Sequence, residues 1–110
     1  MSRPSFATRL NDAIVQTGTV LCVGIDPHRD IMPPVFGGAG QNLASGQALA
    51  HLRDFSKTVL AAAIGRVPAI KPQAALFEAY GPGGMEILAD LGRTARKAGL
   101  LVIMDAKRGD

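Results

Sequence analysis

The chain has 110 residues, 47% of them hydrophobic and 19% charged, with a formal net charge of +3. No apolar stretch approaches the ~20 residues that a membrane span needs, and Met1-Ser-Arg-Pro-Ser-Phe6 lacks the apolar core of a signal peptide. A single cysteine, Cys22, leaves no disulfide framework within the chain, so a cytoplasmic protein is expected, with neither membrane nor nucleic acid as partner.

In residues 5–15, Phe6, Leu10, Ile14 and Val15 recur at helical spacing, predicting a leading helix that closes one end of a barrel. Residues 19–25 form an apolar, β-branched run that ends at Asp26-Pro27-His28 and predicts a strand. Gly37-Gly-Ala-Gly40 follows without the Gly-Lys-Ser/Thr ending of a nucleotide P-loop; residues 33–46 are expected to form a mobile loop. In residues 47–64, Leu49, Leu52, Phe55, Val59, Leu60 and Ala63 share one face of a predicted helix.

A shorter apolar run, 67–70, ends at Lys71-Pro72-Gln73, although Pro68 has no amide to give to a sheet ladder. Glu78 reads either as a partner of Lys71 or as a solvated turn, and the turn is the preferred reading. Gly81-Pro-Gly-Gly84 leads into a predicted helix over 83–98, with Met85, Leu88, Leu91 and Ala95 inward and Arg93, Arg96 and Lys97 outward. Gly99 is its expected stop. The run 100–104 predicts a third strand, ending in Asp105-Ala-Lys107-Arg-Gly-Asp110. Residues two apart in a strand point the same way, which places Asp105 and Lys107 on one face if strand geometry continues that far.

Strands alternating with helices make the sheet parallel and the fold α/β. A complete (β/α)8 TIM barrel takes about 250 residues, and three strands alone leave two unpaired sheet edges. The expectation is the N-terminal part of such a barrel, truncated after the third strand, with 1–110 forming part of one domain. Each strand also delivers charge at its carboxyl end: Asp26, Lys71, then Asp105 with Lys107. Active sites of parallel α/β folds gather there, and a carboxylate crowded against an ammonium at a buried strand exit costs desolvation energy. His28 and His51 lack metal-ligand spacing.

Leu21-Cys-Val-Gly-Ile-Asp26-Pro-His28, Ile70-Lys71-Pro-Gln-Ala-Ala-Leu-Phe-Glu78 and Val102-Ile-Met-Asp105-Ala-Lys107-Arg-Gly-Asp110 resemble orotidine 5′-phosphate decarboxylases. The Lys-Pro-Gln and Asp-Ala-Lys-Arg-Gly-Asp wording is similar to their longer bacterial branch, often called type 2. The resemblance runs from about Phe6 to Asp110 and covers less than half of a family member. It implies cofactor-free conversion of orotidine 5′-phosphate to UMP and CO2 in pyrimidine biosynthesis, by a homodimer.

The resemblance further implies a Lys71-Asp105-Lys107-Asp110 charge network. Asp26 would bind a ribose hydroxyl, and Lys71 would contact the ribose and Asp105. Lys107 would protonate C6, and Asp110 would reach the neighbouring subunit's site. The phosphate-gripping loops of the family come from later strands, so the 110-residue chain alone is expected to be inactive. Two other readings stand beside this one: a magnesium-dependent sugar-phosphate decarboxylase or aldolase of the same superfamily, and a non-catalytic half-barrel that binds a nucleotide or partner. A Schiff-base aldolase using Lys71 or Lys107 fits poorly, because an adjacent carboxylate favours the charged amine.

Overall fold

The computed structural model describes residues 3–106. Its elements are α1 (Phe6–Thr17), β1 (Cys22–Ile25), a 3-10 turn (Pro34–Phe36), α2 (Gly46–Ala63), β2 (Ala69–Pro72), α3 (Ala74–Glu78), α4 (Pro82–Lys97) and β3 (Leu101–Val102). The helices begin and end on local chemistry. Ser5 and Ser45 each offer a hydroxyl to an otherwise unpaired amide, Thr8 N and Ala48 N, both at 3.1 Å. At the far end of α4, Gly99 takes φ +90°. Its amide bonds the Arg96 carbonyl and that of Leu100 bonds Ala95, which turns the chain directly into β3.

The three strands are parallel in the order β1-β2-β3, with Cys22 opposite Ala69 and Ala69 opposite Leu101. Alternation then gives the sheet two unlike faces. Val23, Ile25, Ile70 and Val102 pack outward on Leu52 and Leu60 of α2 and on Ile87, Leu88, Leu91 and Ala95 of α4. On the inner face Ala69 and Leu101, the first residues of their strands, meet Ala13 and Leu10 of α1. The leading helix therefore closes the amino end of the inner face, but through Ala13 and Leu10: Phe6 and Val15 of the expected apolar stripe stay exposed.

Several elements depart from the sequence reading. Residues 19–21 are not strand: β2 begins only at Ala69, the partner of Cys22, so nothing is in register to pair with them. Val20 and Leu21 stay exposed. The third strand shrinks from five residues to two, and Pro72 explains why. Leu101 N, Ile103 N and Asp105 N donate in turn to the carbonyls of Pro68, Ile70 and Pro72. The reciprocal bond at Ile103 would need an amide on Pro72, which proline lacks. Pairing resumes only as an isolated bridge between Gln73 and Asp105.

Glu78 closes α3, a five-residue helix too short to register as a periodic pattern. Met85 is 39% exposed where burial was expected; it lines a groove with Leu88 and Met104. The loop over 33–46 is pinned: Gln41 donates to the carbonyls of Phe36 and Gly38 at 3.0 and 3.1 Å.

Candidate active site

Lys71 is the third of the four residues of β2 and lies in register with Gly24 of β1. Alternation puts Cys22, Gly24, Lys71, Gln73 and Asp105 on the inner face, toward the carboxyl ends of the strands. The backbone of Asp105 is clamped from both sides: its amide donates to Pro72 O at 3.1 Å, and its carbonyl accepts from Ala74 N at 2.8 Å. Its carboxylate meets the Lys71 ammonium, Nζ to Oδ2 3.9 Å, with the side chains 48% and 17% exposed.

Asp26 joins them from β1. Its Oδ2 lies 2.9 Å from where a Cβ on Gly24 would stand, so the carboxylate folds back over the residue opposite Lys71. The absence of a side chain at Gly24 makes that room. The structure thus brings together Asp26, Lys71 and Asp105 of the residues singled out from sequence. Lys107 and Asp110 lie outside the described residues, as does the expectation that Asp105 and Lys107 share a face.

Two neighbours of the cluster escaped sequence reasoning. With its nitrogen toward Asp105, the Gln73 amide reaches Oδ2 at 3.1 Å, the carbonyl at 3.2 Å and Oδ1 at 3.3 Å. Its spacing two residues after Lys71 on a strand was the available signal. Cys22, exposed at the start of β1, lies two residues before Gly24; partial desolvation pushes its thiol up from the ordinary range, against a downward pull from Lys71.

The histidines stand apart from this cluster. His28 is exposed beyond the strand end. His51, on α2, sits 2.8 Å from Gln41 through Nδ1 and stiffens the glycine loop. A groove of about 300 Å³ on the opposite side of the sheet, between α2 and α4, is lined chiefly by Leu60, Ile64, Ile87 and Leu91 and by the stems of Arg53 and Lys57. Ser56, Asp90 and Thr94 also belong to its lining, which includes none of Asp26, Lys71 and Asp105.

No family model matches the chain. A curated orotidine 5′-phosphate decarboxylase from Rhodopirellula baltica is 42% identical over 106 residues, 96% of this chain and 35% of the relative. One from Streptomyces coelicolor is 43% identical over 105 residues, covering 96% and 34%. The chain is similar to one third of an orotidine 5′-phosphate decarboxylase. A solved structure from Streptomyces avermitilis, assigned to the same activity, superposes with a TM-score of 0.80 at 42% identity, over all of this chain and 35% of that one. The chain therefore spans about a third of the length of these family members. Its fold is the N-terminal part of their barrel, through the third strand.

Proposed function

We propose that this chain supplies one side of the active site of an orotidine 5′-phosphate decarboxylase, which converts orotidine 5′-phosphate to UMP and CO2 in pyrimidine biosynthesis. The observation that carries the reading is the Lys71–Asp105 pair, which links β2 to the chain just past β3, with Asp26 folded over Gly24, the residue opposite Lys71. A half-exposed ion pair of this kind adds only about 0–1 kcal/mol to stability. A demand for fixed charge at this point accounts better for its presence.

When the C6–carboxylate bond breaks, the electron pair stays on C6, an sp² carbon that delocalises it poorly. Stabilisation by charges already in place, where water is excluded, suits that step. In this reading Lys107 sets its ammonium beside C6 and gives it the proton as CO2 departs. Asp105 orients Lys107 and favours its charged form. Lys71 bridges Asp105 and the ribose, and Asp26 accepts a hydrogen bond from a ribose hydroxyl. Asp110 crosses to the neighbouring site, making a homodimer the catalytic unit, and the enzyme works in the cytoplasm without a cofactor. Residues 1–110 are the opening portion of a single barrel domain, and binding of the remote phosphate by later strands drives closure.

The test is decarboxylation of orotidine 5′-phosphate by the protein at the length of its relatives. Turnover is expected and should survive a chelator; loss of activity on chelation would favour the magnesium-dependent sugar-phosphate chemistry instead. Lys107→Ala is expected to abolish turnover while UMP still binds in calorimetry. Near-normal turnover by that variant would remove Lys107 from the proton-donor role.

A further inference from the structure

The Lys71–Asp105 contact does not by itself fix the carboxylate. At 3.9 Å it is longer than a good charged hydrogen bond, and the lysine side chain is 48% exposed. A flexible ammonium of that kind neutralises charge without defining a rotamer. Gln73 comes closer, with its amide nitrogen 3.1 Å from the same Oδ2 and 3.3 Å from Oδ1. Only one orientation of its amide is tenable, because the reverse would set its oxygen against both carboxylate oxygens and the carbonyl of Asp105.

We propose that Gln73 is a positioning residue, whose side-chain amide holds the Asp105 carboxylate in the orientation that faces Lys71. The proposal rests on the decarboxylase reading for its catalytic consequence, although the contact itself does not.

Three observations separate this role from a structural one. The backbone of Gln73 is secured without its side chain: its amide donates to Ile25 O at 3.1 Å, and its bridge to Asp105 is main chain. Gln73 also occupies the N-cap of α3, yet its side chain makes no capping bond. Finally, Pro72, fully buried between Lys71 and Gln73, restricts the backbone that presents both side chains. Lys-Pro-Gln thus works as a stiff bracket that brings both a cation and a neutral donor to the Asp105 carboxylate. A neutral donor orients Asp105 and leaves its negative charge in place. Small errors in the placement of such a group cost rate.

Gln73→Met, Gln73→Glu and Gln73→His in the protein at the length of its relatives test the idea. Methionine keeps the length but donates nothing. Its kcat is expected to fall about tenfold or more, the scale of a lost hydrogen bond to a charged group, while KM stays within about threefold. Glutamate, which sets a second carboxylate against Asp105, should lose more, and histidine, which keeps an N–H, should recover most of the rate. A methionine variant within about twofold of wild-type kcat, or three variants that fall equally, would overturn the proposal.

A second measurement is independent of catalysis. The side-chain χ1 couplings of Asp105 in NMR should report one rotamer in the wild type and averaging in Gln73→Met; unchanged couplings would overturn the positioning role. If the wild type fails to decarboxylate, the functional reading falls, and the couplings alone still decide whether Gln73 holds Asp105.

Discussion

Gly24 shows how one missing side chain can decide where a carboxylate lies. Alanine there would put a Cβ 2.9 Å from Asp26 Oδ2, and the carboxylate, the far end of a side chain, is the part free to move. Gly24→Ala is therefore expected to raise KM for the nucleotide several-fold, at nearly unchanged melting temperature, in the protein at the length of its relatives. An unchanged KM would show that Asp26 does not need its place over Gly24. Cys22 offers a probe of the same face. Its side chain is exposed, but partial desolvation raises its thiol and so depletes the reactive thiolate near neutral pH, while Lys71 opposes that shift. Iodoacetamide labelling should be slow at pH 7 and climb in alkaline solution. Removing the ammonium with Lys71→Met pushes the thiol further up and slows labelling at any fixed pH; equal rates in the two proteins would mean that the groups do not interact.

The charged cluster depends on elements that contribute no charged side chain to it. The α3 helix begins with Ala74, whose amide holds the Asp105 carbonyl, and it packs against α4 so closely that only glycine fits at position 84. A Cβ on Gly84 would lie 2.0 Å from Phe77 O and 2.7 Å from Tyr80 Cβ. Backbone cannot yield as a side-chain tip does. Gly84→Ala is expected to cost on the order of 1–3 kcal/mol in denaturant unfolding, more than the ~1 kcal/mol for loss of the Ser45 cap in Ser45→Ala. The opposite ranking would mean that the α3–α4 contact relaxes easily. The helices were legible because Leu52, Leu60, Leu88 and Leu91 repeat with a single period. The extent of β3 was not, since it turns on a proline thirty residues earlier in the chain.

At the scale of the molecule, the open arc is the dominant fact. Three strands leave one edge of β1 and one of β3 unpaired among the described residues. The radius of gyration is 14.8 Å, against about 13 Å for a compact domain of this length. Beside β3, a groove of about 340 Å³ is lined largely by Ala74, Ala75, Met85, Leu88 and Met104. Open edges and apolar grooves invite pairing with other chains. The 110-residue chain by itself is therefore expected to associate in a concentration-dependent way in sedimentation and to show no decarboxylase turnover. A monodisperse monomer that decarboxylates orotidine 5′-phosphate would contradict both expectations.

Local pattern determined most of what this chain is. Alternating apolar runs and helical repeats specified a parallel α/β order, because each element must bury its own apolar face. Asp26, Lys71 and Asp105 stood out because charge is costly at a buried strand exit. Register was decided only in three dimensions. It set Gly24 opposite Lys71 and bridged Gln73 to Asp105 across the sheet. No local rule links residue 73 to residue 105. That contact exists because two strands, separated in sequence by a helical crossover, lie side by side, and hydrogen bonding between strands acts across space whatever the distance along the chain.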